Sequence, residues 1–285
     1  MPLPLVLVCF VLLAPVTVQA DDGDEEARED FSTTQLTSTW RIVAGGNLTA
    51  FNTGAAWSPQ GLAGAAIDLE DVLGLDETVD TYFVGFSYRI NRRHSFSLAV
   101  TDLRRTASRV IDGDIEWGDY VYRADGRVET ELDTTLYALT YRYDFSDTDR
   151  LNAGFIAGLS TFDLGLKLEG EARLESDEGE EWVEGVVEGA SAVAPVPVFG
   201  FFLDYALSPR WIVRFQADLI ELSLGGHEGR VVEADFAIEY GVSDLFAVGL
   251  GLGGSDLEYR SDKKDEKFGI RYRFSSLGAY AAFTF

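Results

Sequence analysis

Few residues in this chain have the chemistry for catalysis. Its 285 residues hold two histidines, His94 and His227, and a single cysteine, Cys9. That inventory excludes thiolate zinc sites and iron–sulfur clusters. Hydrolysis needs a nucleophile or an activated water beside a base. His94 follows Arg92 and Arg93, a poor setting for a general base. His227 lies beside Glu228 with Ser223 nearby, so a rim hydrolase using His227 is one reading, but no His-x-Ser arrangement supports either histidine. Gly249-Leu-Gly251-Leu-Gly-Gly254 matches G-x-G-x-x-G, yet a dinucleotide site requires a helix to follow, and Ser255 to Arg260 instead alternate as a strand does. Asp112-Gly-Asp114-Ile-Glu116 resembles the start of a calcium loop, but Trp117 stands where the sharp-turn glycine belongs. No metal site, no cofactor and no enzymatic activity are expected.

The remaining chemistry is charge, and its placement follows from the elements that carry it. From Trp40 onward the dominant period is two, that of a strand. In Trp211 to Leu219 one face reads Trp211, Val213, Phe215, Ala217, Leu219 and the other Ile212, Arg214, Gln216, Asp218. Asp80 to Ile90 places Tyr82, Val84, Phe86, Tyr88 and Ile90 opposite Phe83, Gly85, Ser87 and Arg89. Carried along every strand, this parity directs Arg41, Arg89, Arg142, Arg214, Asp204, Asp218, Glu233, Asp235 and Glu239 to one side. Opposite charges enclosed together pair, because an unpaired buried charge costs several kcal/mol.

Which side meets water is decided by the neighbours. The polar faces are crowded with Gly, Ala and Ser, which suit a narrow interior. Tyr88, Tyr141, Tyr143, Tyr205, Trp211 and Tyr240 gather near segment ends on the apolar faces, as an interfacial girdle requires. The strands run to about ten residues or more, enough for a tilted crossing of ~25–30 Å. A closed barrel satisfies every backbone polar group in lipid. The expected fold is therefore all-β: a transmembrane antiparallel up-and-down barrel. Four short turns, at 91–94, 146–149, 208–210 and 241–244, alternate with five longer acidic connections, at 54–80, 106–131, 169–194, 225–230 and 261–267. Nine connections give ten strands, with eight or twelve as alternatives. Segment 106–131 is expected to project as a hairpin, and 67–75 to form a short helix.

The charge balance is 23 Lys+Arg against 48 Asp+Glu, a net −25. That sign excludes general nucleic-acid binding. Residues 1–20 are apolar and end in Val18-Gln19-Ala20, which reads as a signal peptide cleaved after Ala20. Residues 21–36 read as an acidic, disordered periplasmic leader, and 37–285 as the barrel. Segment 169–188 alone carries nine acids and one Arg. Such loops are solvated exteriors, or alternatively surface adhesion or divalent-cation-binding modules.

The final strand, Ser276 to Phe285, alternates and stops on an aromatic residue. That ending, with the turns Tyr88–His94 and Tyr205–Trp211, resembles the small Gram-negative outer-membrane β-barrel superfamily, the OmpA/OmpW-like single-chain barrels. The resemblance covers Trp40 to Phe285. It departs from the OmpA type, which adds a soluble peptidoglycan-binding domain, and from the OmpW type, which has eight strands. It implies an outer-membrane location and a passive porin-like or structural envelope role. It also implies an assembly signal at Phe285, Phe283 and Tyr280 read by the barrel-assembly machinery, and contact with outer-membrane lipid and lipopolysaccharide.

Overall fold

A computed structural model describes residues 34–58, 67–117, 120–122, 124–176, 179–224, 227–263 and 266–285. The segment read as a signal peptide and most of the expected leader lie outside the described residues. A single helical turn, α1 (Thr34–Thr37), precedes β1 (Trp40–Ser58). Then follow β2 (Ile67–Asp68), β3 (Thr78–Asn91), β4 (His94–Val110), β5 (Ile115–Trp117), β6 (Tyr120–Tyr122) and β7 (Arg127–Asp147). The chain ends with β8 (Leu151–Ser176), β9 (Gly179–Ala206), β10 (Trp211–Leu224), β11 (His227–Gly241), β12 (Phe246–Lys263) and β13 (Glu266–Thr284).

Ten of these strands form a closed ring in which each pairs antiparallel with its sequence neighbours, in the order β1-β3-β4-β7-β8-β9-β10-β11-β12-β13. The ring closes between the chain's two ends: β1 runs against β13 from Arg41↔Thr284 to Ser58↔Lys267, and Trp40 and Phe285 exchange both backbone hydrogen bonds, at 2.8 and 3.0 Å. Closure removes the unpaired edges that a flat sheet would present. β5 and β6 form the projecting hairpin and add to β8. Residues 67–75 form hydrogen-bonded turns instead of a regular helix, with Val72 N–H donating to Asp68 O at 3.0 Å and Gly74 N–H to Glu70 O at 3.1 Å. Gly74 ends this segment at φ +77°, a conformation that L side chains rarely adopt.

The strand parity has one consistent outward set near the short-turn end. Leu48, Val84, Leu98, Phe155, Phe199, Leu250 and Leu277 are all exposed large apolar residues, and Leu219 reaches 63% exposure. A belt of this extent is not a water-facing surface. It continues into Trp40 stacked on Tyr88 at 4.2 Å and Trp211 on Tyr240 at 4.9 Å, which form the girdle at the short-turn rim. Among the described residues no helix is long and apolar enough to cross a membrane.

The strands are longer than a crossing needs. β7, β8 and β9 have 21, 26 and 28 residues, whereas about ten suffice. Beyond the belt the parity continues but its polarity reverses. Outward positions become Arg104, Asp133, Lys167, Asp256, Glu258, Arg271 and Arg273, several in cross-strand ion pairs: Arg104–Asp133 at 2.6 Å, Arg271–Glu258 at 2.5 Å and Arg273–Asp256 at 2.7 Å. Inward positions become an apolar core of Leu103, Leu132, Phe162, Leu164, Leu166, Leu168, Val196, Leu257 and Ile270. Much of what the sequence reads as acidic loop is therefore strand, and the expected polar interior is confined to the belt.

Candidate functional site: the barrel interior

Inside the belt, β1, β7, β9, β10 and β11 each present a charged side chain to the lumen. Glu239 is fully buried and accepts from Arg41 Nη1 at 3.2 Å, Arg214 Nε at 3.3 Å and Tyr280 Oη at 3.1 Å. Arg214 also donates to Asp204 Oδ2 at 3.0 Å, and Arg142 donates to that same oxygen at 3.2 Å. The result is a relay of alternating sign, Arg41–Glu239–Arg214–Asp204–Arg142, running through five strands. Arg142 also lies over the Phe202 ring at 3.5 Å, an attraction between cation and π face. Nearer the short-turn mouth Arg89 faces Asp144 at 3.7 Å and Asp147 at 3.6 Å. The mouth is covered by α1: Leu36 is 3% exposed, Gln35 Nε2 donates to Ser243 O at 3.0 Å, Arg214 donates to Gln35 O at 3.4 Å, and Asn152 donates to Leu36 O at 3.1 Å. Gln35 and Leu36, placed in the leader by composition, are thus buried against the barrel.

Glycines make the relay fit. A Cβ on Gly249 would collide with the Tyr280 ring, so the inward glycines of β12 leave room for the phenol that reaches Glu239. This is the role of the G-x-G-x-x-G match; the backbone there is strand, with Gly249↔Tyr280 paired across β12 and β13.

Asp218, Glu233 and Asp235 are not part of the relay. Asp218 sits opposite Glu233, and Gln216 opposite Asp235, on the inner faces of β10 and β11. Gln216 Nε2 donates to Asp218 Oδ2 at 2.7 Å, while Asp218 Oδ1 is buried without a hydrogen-bond partner. Among the described residues none of the three acids forms an ion pair, and no group of three or more His, Cys, Asp or Glu is arranged to hold a metal ion.

Above this layer a second polar node interrupts the apolar core. Arg105, 2% exposed, pairs with Glu70, donates to Thr53 Oγ1 at 3.0 Å and lies 4.9 Å from the Phe51 ring centre. The other Glu70 oxygen accepts from Thr53 N–H at 2.7 Å, which fastens the 67–75 turns inside the barrel with Leu69, Leu73 and Leu75 buried. Burial pushes the nearby Tyr272 hydroxyl up to about 12, so it stays protonated. On the outer face, Asp133 holds the Arg104 guanidinium in its charged form. Strand parity alone assigns Arg105 and Asp144 inward, a signal the sequence contains; Glu70 sits in a connection and carries no such signal.

The histidines stand apart. His94 Nδ1 lies 2.6 Å from Tyr141 Oη at the short-turn rim. The His227 backbone pairs with Leu224 and Ser261; its side chain and that of Ser223 lie outside those described. The C-terminal signal residues divide by parity: Phe285 and Phe283 face outward, 58% and 50% exposed, whereas Tyr280 faces in.

No family model and no curated sequence matches the chain. Solved structures do. The outer membrane protease OmpT from Escherichia coli is similar at a TM-score of 0.51 and 12% identity, over 86% of this chain and 97% of that one. The outer membrane protein OprG from Pseudomonas aeruginosa is similar at 0.38 and 8%, over 90% and 99%. Ail, the attachment invasion locus protein of Yersinia pestis, is similar at 0.32 and 10%, over 86% and 99%. At 12% identity the likeness to OmpT is one of fold, and the fold of this chain is a single-chain, ten-stranded antiparallel β-barrel of the kind that outer-membrane protein has.

Proposed function

We propose that the protein is a structural, non-conducting barrel of the outer membrane, with its short turns and α1 facing the periplasm and its long hairpins standing outside the cell. One observation carries this reading: the lumen is crossed by the Arg41–Glu239–Arg214–Asp204–Arg142 relay and, above it, filled by apolar side chains around the Arg105–Glu70 node. Counted with Arg89, Asp144 and Asp147 at the mouth, the paired groups of the lumen balance at four arginines against four carboxylates, so they leave little fixed field to select ions. An apolar layer above them gives a hydrated ion nothing to bind. The structural half of the expected role is favoured over the porin-like half.

Planar-bilayer recording tests this. The folded barrel is expected to pass no current above background, and the Glu239→Ala/Arg214→Ala/Arg105→Ala variant is expected to leak. Steady unitary currents from the unaltered barrel would establish a pore and overturn the proposal. Exposed Phe283 and Phe285 suit recognition by the barrel-assembly machinery during insertion.

A further inference from the structure

Resting on the outer-membrane reading above, we infer that the outer face of β11, β12 and β13 binds the phosphorylated headgroup of an outer-leaflet glycolipid. On six of the ten barrel strands the first charged outward position above the apolar belt is acidic: Asp80 on β3, Asp102 on β4, Asp133 on β7, Asp163 on β8, Glu221 on β10 and Asp256 on β12. β11 and β13 break the pattern with Arg230 and Arg273, and Arg260 and Arg271 lie within two rungs of them. Four arginines thus gather on three adjacent strands of a chain whose net charge is −25.

Their bonding leaves donors to spare. Arg273 directs Nε and Nη2 at one oxygen of Asp256, at 3.0 and 2.7 Å, which leaves Nη1 free. Arg271 is held by Glu258 alone, at 2.7 Å from Nε, with half its side chain exposed. Arg230 and Arg260 form no ion pair among the described residues, although Glu258 stands opposite Arg230 and Glu228 opposite Arg260. The other outward cations at this level are already engaged: Arg104 by Asp133 and Glu131, and Lys167 by Glu131. A guanidinium fork matches a phosphate in two donors at once.

The apolar part of such a lipid also has a seat. The same sheet face carries a groove of about 430 Å³ floored by Ala44, Ala279 and Ala281 and walled by Trp211, Ile238 and Leu250. Along β13 it begins six residues below Arg273. At ~3.4 Å per residue and the usual strand tilt, that is about 15 Å of depth, the hydrocarbon thickness of one leaflet. An acyl chain whose phosphate rests on the arginines meets the upper edge of this groove at the bilayer midplane.

The test uses the folded full-length mature barrel in zwitterionic detergent, with bound lipid counted by native mass spectrometry. The probes are bis-phosphorylated lipid A, its dephosphorylated form, phosphatidylcholine and inorganic phosphate. Retention of lipid A above the other three, weakening with salt, is expected. Arg230→Gln/Arg260→Gln orphans no ion-pair partner and is expected to weaken lipid A binding roughly thirtyfold, the affinity falling to about a fifth for each cation removed near an anionic surface. The same change at Arg104 and Lys167 is expected to leave it within about twofold. Equal binding of the dephosphorylated lipid, or a double variant that binds like the parent, overturns the site, and equal capture of inorganic phosphate reduces it to an anion site. A barrel whose gel mobility does not shift on boiling sinks the membrane reading itself; one that shifts but binds lipids indifferently sinks only this site.

Discussion

At the scale of single residues, Glu239 and Arg214 hold the lumen together. Each is bonded to partners on other strands, so neither can be removed without stranding a charge. Arg214→Ala leaves Glu239 with only Arg41, and Asp204 with only Arg142. Breaking a buried pair from one side costs about 3–5 kcal/mol, because the surviving charge stays desolvated. Urea unfolding in detergent, followed by tryptophan fluorescence, is expected to show a loss of that order for Arg214→Ala. A loss below about 1 kcal/mol would mean that water reaches the relay. The parity of the sequence was enough to collect these residues on one side. It could not say which acid meets which base, since Arg41 and Glu239 are 198 positions apart and meet only once β13 lies between β1 and β12.

At the scale of the strand, β12 shows what its small residues are for. Gly249→Val drives a branched side chain into the Tyr280 ring, which must leave Glu239. Overpacking of this kind costs typically ~1–3 kcal/mol. Gly251→Ala is the control, because its Cβ would meet only Phe236 O at 3.7 Å, an ordinary contact. A lower urea midpoint for the first and an unchanged one for the second are expected; equal midpoints would remove Tyr280 from the account. The same strands explain what was legible and what was not. Period-two runs of apolar residues announced the ten barrel strands and the aromatic girdle at the short-turn rim. Segment 127–131 also alternates, with Val128 and Thr130 buried between Arg127, Glu129 and Glu131, but its charge resembles that of a solvated loop. Composition and periodicity gave opposite answers there, and periodicity was the physical one, because inward burial fixes a strand regardless of what its outer face carries. The 67–75 turns were out of reach for another reason: their place inside the barrel depends on Glu70 finding Arg105, a contact with no local signature.

At the scale of the whole molecule, the closed ring joins the first long strand to the last, so no part of the barrel unfolds without opening that seam. Heat-dependent gel mobility is the expected mark of this closure: the unboiled chain should migrate apart from the boiled one, and identical migration in mild detergent would argue against a closed barrel. The reversal of polarity along the strands places the bulk of the protein's charge beyond the apolar belt. In the orientation proposed above, hairpins rich in carboxylates pass from the periplasmic side to the cell exterior to reach that arrangement. Carrying such groups through oil is prohibitive. The finished molecule therefore implies a wet route of delivery: its acidic crown has to travel through a hydrated opening, and spontaneous insertion into an intact bilayer is closed to it.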